Sequence, residues 1–409
     1  MNILIVSTSD IHGGAAIASF RLMNALLSQG EKVKMLVRDK RSDHPDVIAI
    51  GNKWQNSLHF YRERSIIFLH NRLSKKNLFD ISIANSGTAI TEHPAFRMAD
   101  VIHLHWINQG MLSLSEISRI IASGKRVVWT MHDMWPFTGI CHHAAGCCHY
   151  EKGCGDCPFL TAPSRTDLSQ QLFQKKMKAY NGGRITFVAC SHWLKELADK
   201  SPLTAGHKVT TIPNPIDTAH YHPMDKRALR RKLQLPEKSK IVLFAAVKAS
   251  DPRKGMEYLV EASQIIAQQQ KEILFLIAGN NGEEMGKRLS LPARCLGYVA
   301  PQEMAEVYNA ADLFVTPSLQ ENLPNTIMEA MACGTPCVGF DTGGIPEMIT
   351  HGKNGYVALY KDAVDLAFGI LSILYGNDPE VVSSDARNRA LLEYSQEIVA
   401  NQYMEIYAN

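Results

Sequence analysis

Short apolar segments alternate with longer amphipathic segments along most of the chain, which predicts parallel β-sheets with helical crossovers. The first series of predicted strands is Asn2–Ser7, Val33–Val37, Val101–His105, Arg126–Met131 and Ile185–Ala189, with helices at Ala16–Gln29 and Leu114–Ser123. The second series has strands at Lys240–Lys248, Ile273–Ala278, Leu313–Pro317 and Pro336–Phe340, with helices at Met256–Gln270, Pro301–Asn309 and Asn325–Ala332. The pattern predicts an α/β protein of two doubly wound Rossmann-like domains that face a central cleft.

The two series meet at a proline-rich segment in which Pro213 and Pro215 flank Asn214. Two prolines this close suit a rigid hinge. We therefore predict an N-terminal domain at 1–212 with a cysteine-rich loop at 141–157, a hinge at 213–217 and a C-terminal domain at 218–390. A last helix, at 391–409, could cross back to the first domain. Because doubly wound sheets bind ligands beyond the carboxyl ends of their strands, functional residues are expected in the loops that follow strands.

Composition and charge narrow the classes of protein that fit this pattern. The 409 residues are 45% apolar and 20% charged, which is typical of a globular protein and excludes a disordered or fibrous one. The net charge of +3 is too small to indicate a nucleic-acid partner. No apolar run approaches the roughly 20 residues of a membrane-spanning helix. The N-terminal segment is predicted to be a strand and not a signal peptide, so we expect a cytoplasmic protein.

Two loops have the composition of anion-binding sites. Gly13 and Gly14 follow the first predicted strand and open the first helix, where paired glycines allow a backbone to approach a ligand. Their spacing is not G-x-G-x-x-G, which disfavours a dinucleotide dehydrogenase. The loop after the strand Lys240–Lys248 carries Arg253 and Lys254 just before a helix, and such cations stabilise a departing diphosphate. A plain tight turn and a solvated basic loop are the alternatives.

The segment Glu321–Glu329 is the most specific motif. Pro324 suits the first turn of a helix, so Glu321 is predicted in the entering loop and Glu329 inside the helix. Two carboxylates so arranged can accept hydrogen bonds from sugar hydroxyls, while backbone N–H groups at the helix start face a ligand. The alternative is that Glu321 is an ordinary surface residue and that Glu329 forms an ion pair with a basic side chain. The predicted binding residues here are Glu321, Asn322, Leu323, Pro324, Asn325, Thr326 and Glu329.

Histidines follow or occupy two strands of the first series. His132 follows the strand Arg126–Met131, where it could hydrogen-bond a sugar hydroxyl or assist proton movement. His103 and His105 lie inside a predicted strand and are expected to be core or supporting groups. The glycine turn at Asp341–Glu347 is either a ligand-facing loop or simply a turn.

Five of the nine cysteines fall within residues 141–157, and the cluster closes with a C-x-x-C. In a cytoplasmic protein this density indicates a structural metal before it indicates disulfides. Zinc takes four such ligands, which leaves no open position for catalysis. The predicted zinc ligands are Cys141, Cys147, Cys154 and Cys157; disulfides and unbonded thiols are the alternatives. Buried apolar roles are predicted for Cys190, Cys295, Cys333 and Cys337.

The segment Leu58–Lys76 mixes aromatic and aliphatic residues with Arg62, Arg64 and other cations. A basic amphipathic helix can lie on an anionic membrane surface, which would place the protein at the inner face of the membrane. The alternative is a helix with one face in the core and the other in solvent.

These motifs together resemble the retaining glycosyltransferases of family four, which have the GT-B fold, over nearly the whole chain. The resemblance rests most strongly on Glu321–Glu329 and the following Cys333–Pro336. The loop ending in Lys254-Gly255, the linker Ile212-Pro213-Asn214 and the segment Thr342–Glu347 agree in order and spacing. The segment Met131–Gly139, with the cysteines after it, is similar to a subgroup found in bacterial surface-polysaccharide clusters.

The resemblance implies a nucleotide-diphosphate sugar donor, a glycan or lipid-linked glycan acceptor and no catalytic metal. It implies that Lys254 and Lys248 hold the donor diphosphate; Lys248 stands where most members have Arg, so Arg253 is expected to share this work. Glu321 would bind donor-sugar hydroxyls and Glu329 the nucleotide ribose.

Of the N-terminal residues, His132 would contact the sugar near the anomeric centre, and Gly13 and Gly14 would line the cleft. Asn214-Pro215 replaces the usual Asn-Gly and stiffens the hinge. A GT-B sugar-nucleotide epimerase is an alternative function. A zinc-containing nucleic-acid-binding protein is another, which the modest charge and lack of a recognition motif disfavour.

Overall fold

The computed structural model describes residues 1–269, 272–376 and 378–409 and divides the chain into two compact units. The N-terminal unit comprises Met1–Pro213 together with Ala400–Asn409, and the C-terminal unit comprises Asn214–Val399. The chain passes from one unit to the other within the proline-rich segment, and its last ten residues group with the first unit.

Seven parallel strands form the sheet of the N-terminal unit in the order β3-β2-β1-β4-β5-β6-β7. The strands are β1 (Asn2–Ser9), β2 (Lys32–Asp39), β3 (Val47–Ala49), β4 (Val101–Leu104), β5 (Arg126–Met131), β6 (Ile185–Ala189) and β7 (Lys208–Thr211). The helices are α1 (Gly14–Ser28), α2 (Lys53–His70), α3 (Pro94–Met98), α4 (Leu114–Ile121), α5 (Leu168–Tyr180) and α6 (His192–Asp199). The central strands are buried along almost their whole length, as expected for a parallel sheet that is covered on both faces.

Six parallel strands form the sheet of the C-terminal unit in the order β10-β9-β8-β11-β12-β13. The strands are β8 (Lys240–Lys248), β9 (Ile273–Asn280), β10 (Ala293–Gly297), β11 (Leu313–Thr316), β12 (Cys337–Phe340) and β13 (Gly355–Ala358). The helices are α7 (Lys226–Lys232), α8 (Met256–Ala267), α9 (Gly282–Gly286), α10 (Met304–Ala310), α11 (Asn325–Ala332), α12 (Ile345–Met348), α13 (Ala363–Tyr375) and α14 (Pro379–Arg389). The last helix, α15 (Gln396–Ala408), begins in this unit, and its residues from Ala400 onward belong to the N-terminal unit. Two parallel α/β sheets confirm the predicted fold class.

Local chemistry explains why the helices begin where they do. Side-chain oxygens of Ser113, Asp167 and Ser191 accept hydrogen bonds from the first-turn N–H groups of α4, α5 and α6. Asn52 and Gln55 form a reciprocal capping box at the start of α2. Each cap satisfies backbone donors that have no partner inside the helix.

The structure corrects several sequence-based boundaries. The predicted helix over Leu58–Lys76 instead runs from Lys53 to His70, because Arg72 and Leu73 adopt left-handed backbone angles that end it. Helix α8 ends at Ala267, before the predicted end, and Gln270 lies outside the described residues. Pro324 precedes α11 as its N-cap and does not occupy its first turn. Cys295, predicted to be buried, is only half-buried.

Candidate active site

The strand order of the C-terminal sheet reverses between β8 and β11, so the loops that follow these two strands lie at a topological switch point. The Leu319 N–H donates a hydrogen bond of 2.8 Å to the Arg253 carbonyl and joins the two loops. Gly255 has φ of +68°, and a Cβ there would lie 1.7 Å from the Pro317 carbonyl oxygen. Only glycine allows this close approach. It holds the loop Lys248–Gly255, which we call the basic loop, against the loop that leads to Glu321.

Lys254 and Glu321, predicted from separate motifs, contact each other. The Lys254 ammonium forms an ion pair with the Glu321 carboxylate. The side chain of Lys254 is 35% exposed and that of Glu321 is 15% exposed, so the pair lies at the surface with the carboxylate more enclosed. A cation suited to a diphosphate and a carboxylate suited to sugar hydroxyls are therefore adjacent before any ligand binds.

The other two cations of the basic loop have different surroundings. The Arg253 guanidinium is bound by Asp251 at 2.8 Å and 3.2 Å, and Asp251 also caps the 3-10 turn Pro252–Lys254. The hydrogen bond from the Arg253 side chain, with its charge, lowers the pKa of Asp251. Lys248 is exposed at the end of β8. Lys254 contacts a second predicted site residue, Glu321.

A glycine turn supports the Glu321 loop from the side of β12. Gly343 has φ of +58°, and a Cβ there would lie 1.7 Å from the Glu321 carbonyl oxygen. The Gly344 N–H donates a hydrogen bond of 2.8 Å to the Asn322 carbonyl. The segment Asp341–Glu347 therefore positions the backbone of Glu321 and Asn322.

Helix α11 follows directly. Its N-cap, Pro324, supplies no side-chain cap, and the Asn214 amide donates to the Asn325 side-chain oxygen at 3.1 Å. Asn322, Leu323 and Pro324 are buried, whereas Thr326 is half-buried. Glu329 is 7% exposed and accepts a hydrogen bond of 3.0 Å from the Tyr308 hydroxyl.

Tyr308 is a residue that sequence reasoning missed. Burial raises the pKa of Tyr308, and the Glu329 charge raises it further, so the phenol stays protonated and orients the Glu329 carboxylate. Its only sequence signal is an aromatic position in α10, which does not separate a supporting residue from a core residue.

In the N-terminal unit, the switch point lies between β1 and β4. Gly13 has φ of +94° and precedes α1, and a Cβ at Gly13 would meet no atom within 4 Å. The buried Asp10 carboxylate accepts backbone hydrogen bonds from Ile11, Arg41 and Ser42 at 2.8–3.1 Å. Burial would raise the pKa of Asp10, but these hydrogen bonds lower it. Asp10 thereby fixes the loop that presents Gly13 and Gly14, a role not predicted from the sequence.

His132 lies just after β5 and is held by other side chains of the same unit. Its Nε2 is 2.9 Å from His105 Nδ1, and its Nδ1 is 3.7 Å from Cys190 Sγ. Burial lowers the pKa of His132 to about 4, although Asp133 opposes this. The imidazole is therefore neutral near pH 7 and can act through a hydrogen bond, not as a fixed cation.

Asp133, next to His132, is the centre of a second network. Its carboxylate accepts from Trp106 Nε1 at 2.8 Å and from the Trp135 N–H at 2.9 Å, and His142 Nδ1 lies 2.7 Å away. Burial would raise the pKa of Asp133, but the neighbouring His142 lowers it to about 2. The network rigidifies the loop between β5 and the cysteine-rich segment.

Similarity to known proteins decides the family. The family model described as Glycosyltransferase Family 4 matches residues 12–220, more than half of the chain. The chain belongs to glycosyltransferase family 4. A second model, described as Glycosyl transferases group 1, matches residues 239–375 of this glycosyltransferase.

Individual relatives agree with this assignment. A D-inositol 3-phosphate glycosyltransferase of Corynebacterium jeikeium is 24% identical over 75% of this chain and 72% of its own length. Some other relatives are matched over only about half of their length. Sucrose-phosphate synthase of Thermosynechococcus elongatus superposes with a TM-score of 0.66, at 18% identity, over 99% of this chain and 98% of its own. Anabaena HepE, solved in complex with UDP-glucose, superposes with a TM-score of 0.65, at 17% identity, over 99% of each chain. The fold of this glycosyltransferase is therefore GT-B.

The cysteine-rich segment of the glycosyltransferase forms a cavity wall in the N-terminal unit. The cavity is lined by all four predicted zinc ligands, Cys141, Cys147, Cys154 and Cys157. Burial raises the pKa of Cys154 to about 12 and of Cys157 to about 11. All nine cysteines are free thiols, and among residues 1–269, 272–376 and 378–409 no three His, Cys, Asp or Glu side chains are arranged to hold a metal ion.

Helix α2 presents exposed apolar residues at helical spacing. Trp54, Leu58, Tyr61 and Leu69 are all more than half exposed, as are Leu73 and Phe79 just beyond the helix. The exposed cations Lys53, Arg62, Arg72, Lys75 and Lys76 lie within the same stretch. We call these eleven residues the α2 face. Arg64, predicted to be one of the cations of this helix face, is instead buried and pairs with Glu63 at 2.8 Å. No helix within the described part of the chain is both long and apolar enough to span a bilayer.

Proposed function

We propose that this glycosyltransferase moves a sugar from a nucleotide-diphosphate donor to a hydroxyl of a glycan or lipid-linked glycan, with retained anomeric configuration, in polysaccharide biosynthesis. The contact between Lys254 and Glu321 is the observation that carries the proposal. It supports the proposal because a cation suited to a diphosphate is adjacent to a carboxylate suited to sugar hydroxyls, beside a switch point of the C-terminal sheet. The complex of Anabaena HepE with UDP-glucose supports a donor of this class.

The basic loop stabilises the leaving diphosphate. As the bond between the anomeric carbon and the phosphate oxygen breaks, its electron pair moves onto that oxygen and negative charge develops there. Lys254 would turn from Glu321 toward this charge, and Lys248 and Arg253 would add to the field. The start of α11 adds the positive end of a helix dipole. These groups supply the stabilisation without a catalytic metal.

The sugar is oriented by neutral and anionic acceptors. Glu321 would accept hydrogen bonds from donor-sugar hydroxyls, and Glu329, oriented by Tyr308, would bind the ribose. His132 would contact the sugar near the anomeric centre, and its neutral state avoids placing a cation against an oxocarbenium-like transition state. We assign Gly13 and Gly14 to a turn at which the backbone allows a ligand to approach closely.

Retention follows if the acceptor hydroxyl attacks from the face that the diphosphate leaves. The acceptor oxygen then bonds to the anomeric carbon, and its proton passes to the departing phosphate oxygen. In this reaction no side chain of the enzyme forms a covalent bond to the sugar.

A donor screen followed by product analysis tests the proposal. A thermal-shift panel of nucleotide diphosphates identifies the base, because a ligand that binds only the native state raises apparent stability. The matching nucleotide sugar is then incubated with and without glycan acceptors, and NMR reads the anomeric configuration. We expect a glycoside of retained configuration only when acceptor is present. An inverted product would refute retention, and conversion of donor alone would indicate the epimerase.

The α2 face supports a lipid-linked acceptor. Exposed apolar patches rimmed by cations are typical of surfaces that bind anionic membranes. We propose that the α2 face contacts an anionic bilayer.

Sedimentation with vesicles tests this: the wild type is expected to bind anionic vesicles and to lose binding in neutral ones or at high salt. Trp54→Ser with Leu58→Ser should abolish binding, whereas Val364→Ser with Phe368→Ser, which removes exposed apolar residues of α13, should not. Equal binding by both double variants would refute the assignment.

A further inference from the structure

The cysteine-rich segment contains a site that the glycosyl transfer described above does not use. The four cysteines at one cavity come from three parts of residues 141–157, and the fifth, Cys148, is exposed. The wall also includes the apolar and aromatic residues Ile140, Tyr150 and Phe159. Four of the five cysteines of this segment therefore line one cavity, and the fifth is exposed.

The backbone around the C-x-x-C is held in an uncommon conformation. Gly153, Cys154, Gly155 and Asp156 have consecutive positive φ angles of 107°, 62°, 102° and 47°. Non-glycine residues in this region carry strain that persists where the surroundings impose it.

Three hydrogen bonds fix this turn. The Cys157 N–H donates to the Asp167 carboxylate at 2.8 Å, and the Gly155 N–H donates to the Ser169 hydroxyl at 3.0 Å. The Gly139 N–H donates to Cys154 Sγ at 3.2 Å. An N–H donor aimed at sulfur stabilises the thiolate, which is the form that binds metal.

Lys176 adds a buried amino group close enough to Cys154 and Cys141 to interact with them electrostatically. Its side chain is completely buried, and its ammonium donates to the carbonyls of Trp135 at 2.5 Å and Thr138 at 2.9 Å. It also lies 3.4 Å from the centre of the Trp135 ring. Within the described residues no carboxylate forms an ion pair with it; Asp133 acts on it from farther away and is bound to His142. Negative charge on the nearby Cys154 and Cys141 would favour the charged form of Lys176 against the cost of its burial.

We propose that Cys141, Cys147, Cys154 and Cys157 bind one zinc ion as a tetrathiolate whose negative charge Lys176 partly balances. Binding releases the four thiol protons and leaves two net negative charges on the site. The unligated thiols of the structure would converge on the cavity by rotation about their Cα–Cβ bonds. The site is structural, since four thiolates leave no open position, and it would brace the loop that carries Asp133 beside His132.

Metal analysis of the full chain, purified without added metal or chelator, tests the site. Mass spectrometry of the metals is expected to find one zinc per chain, and X-ray absorption four sulfur ligands at about 2.3 Å. Cys157→Ser should lose zinc, whereas Cys148→Ser, a change of the same kind in the same segment, should retain it. Lys176→Met should bind zinc but release it faster to a chromogenic chelator.

The zinc content of the wild type tests the site even if Cys157→Ser fails to fold. A cooperatively folded, metal-free wild type would overturn it, as would a disulfide between any two of the four cysteines or iron in place of zinc. Retention of zinc by Cys157→Ser at full stoichiometry would overturn the ligand set.

Discussion

Replacing Lys254 with alanine separates catalytic from structural contributions of the basic loop. The Lys254 side chain is more than a third exposed, so its ion pair with Glu321 contributes at most about 1 kcal/mol to the free energy of unfolding. Its proposed contact with the leaving phosphate forms as charge develops, and losing one such donor costs about 100-fold or more in rate. A 100-fold loss corresponds to about 2.7 kcal/mol of transition-state stabilisation. Lys254→Ala is thus expected to reduce kcat/KM far more than stability.

Steady-state donor turnover and urea denaturation measure the two quantities on the same samples. Lys232→Ala is the matched control, since Lys232 forms an ion pair with Glu306 at 2.6 Å elsewhere in the same unit. The control is expected to keep wild-type turnover with a similarly small change in stability. Wild-type kcat/KM in Lys254→Ala would refute the assignment of this lysine to the diphosphate.

Two further predictions concern stability. Burial lowers the pKa of His103 to about 3 and of His132 to about 4, so the folded state stays unprotonated where free imidazole, with a pKa of 6.5, takes up protons. The contribution of each buried histidine to the free energy of unfolding is therefore fully present above about pH 6.5 and is lost on acidification. At about pH 5 the loss is about 2 kcal/mol per buried histidine. Denaturant midpoints that match at about pH 7 and pH 5 would contradict this. Gly255→Ala should destabilise the protein more than Gly297→Ala, because both glycines have φ near +67° but only at Gly255 does a Cβ collide, 1.7 Å from a carbonyl oxygen. Equal unfolding free energies for the two variants would show that the collision is relieved.

The buried strands could be predicted because parallel strands that are covered on both faces give continuous apolar runs. β5, β6 and β8 have the bounds that the sequence predicts. The outer strands β3 and β7 were missed because they lie toward the sheet edge, and Lys208–Thr211 carries no buried residue to distinguish it from a loop.

The site was predictable where chemistry is local in sequence and not where it depends on tertiary contact. Lys254 and Glu321 were recognisable within their own motifs, but their ion pair joins positions far apart in the chain. Lys176 was not among the predicted residues, because the hydrophobic pattern of a helix does not show that one of its lysines is buried. His105 was predicted to be a core or supporting group, but only the structure shows its Nδ1 2.9 Å from His132 Nε2.

A crystal structure with the nucleotide diphosphate selected by the thermal-shift panel tests the central claim most directly. We predict diphosphate oxygens within hydrogen-bonding distance of Lys254 Nζ and of the backbone N–H groups at Asn325 and Thr326, with Glu321 released from its ion pair. A nucleotide bound away from both Lys254 and Glu321 would contradict it.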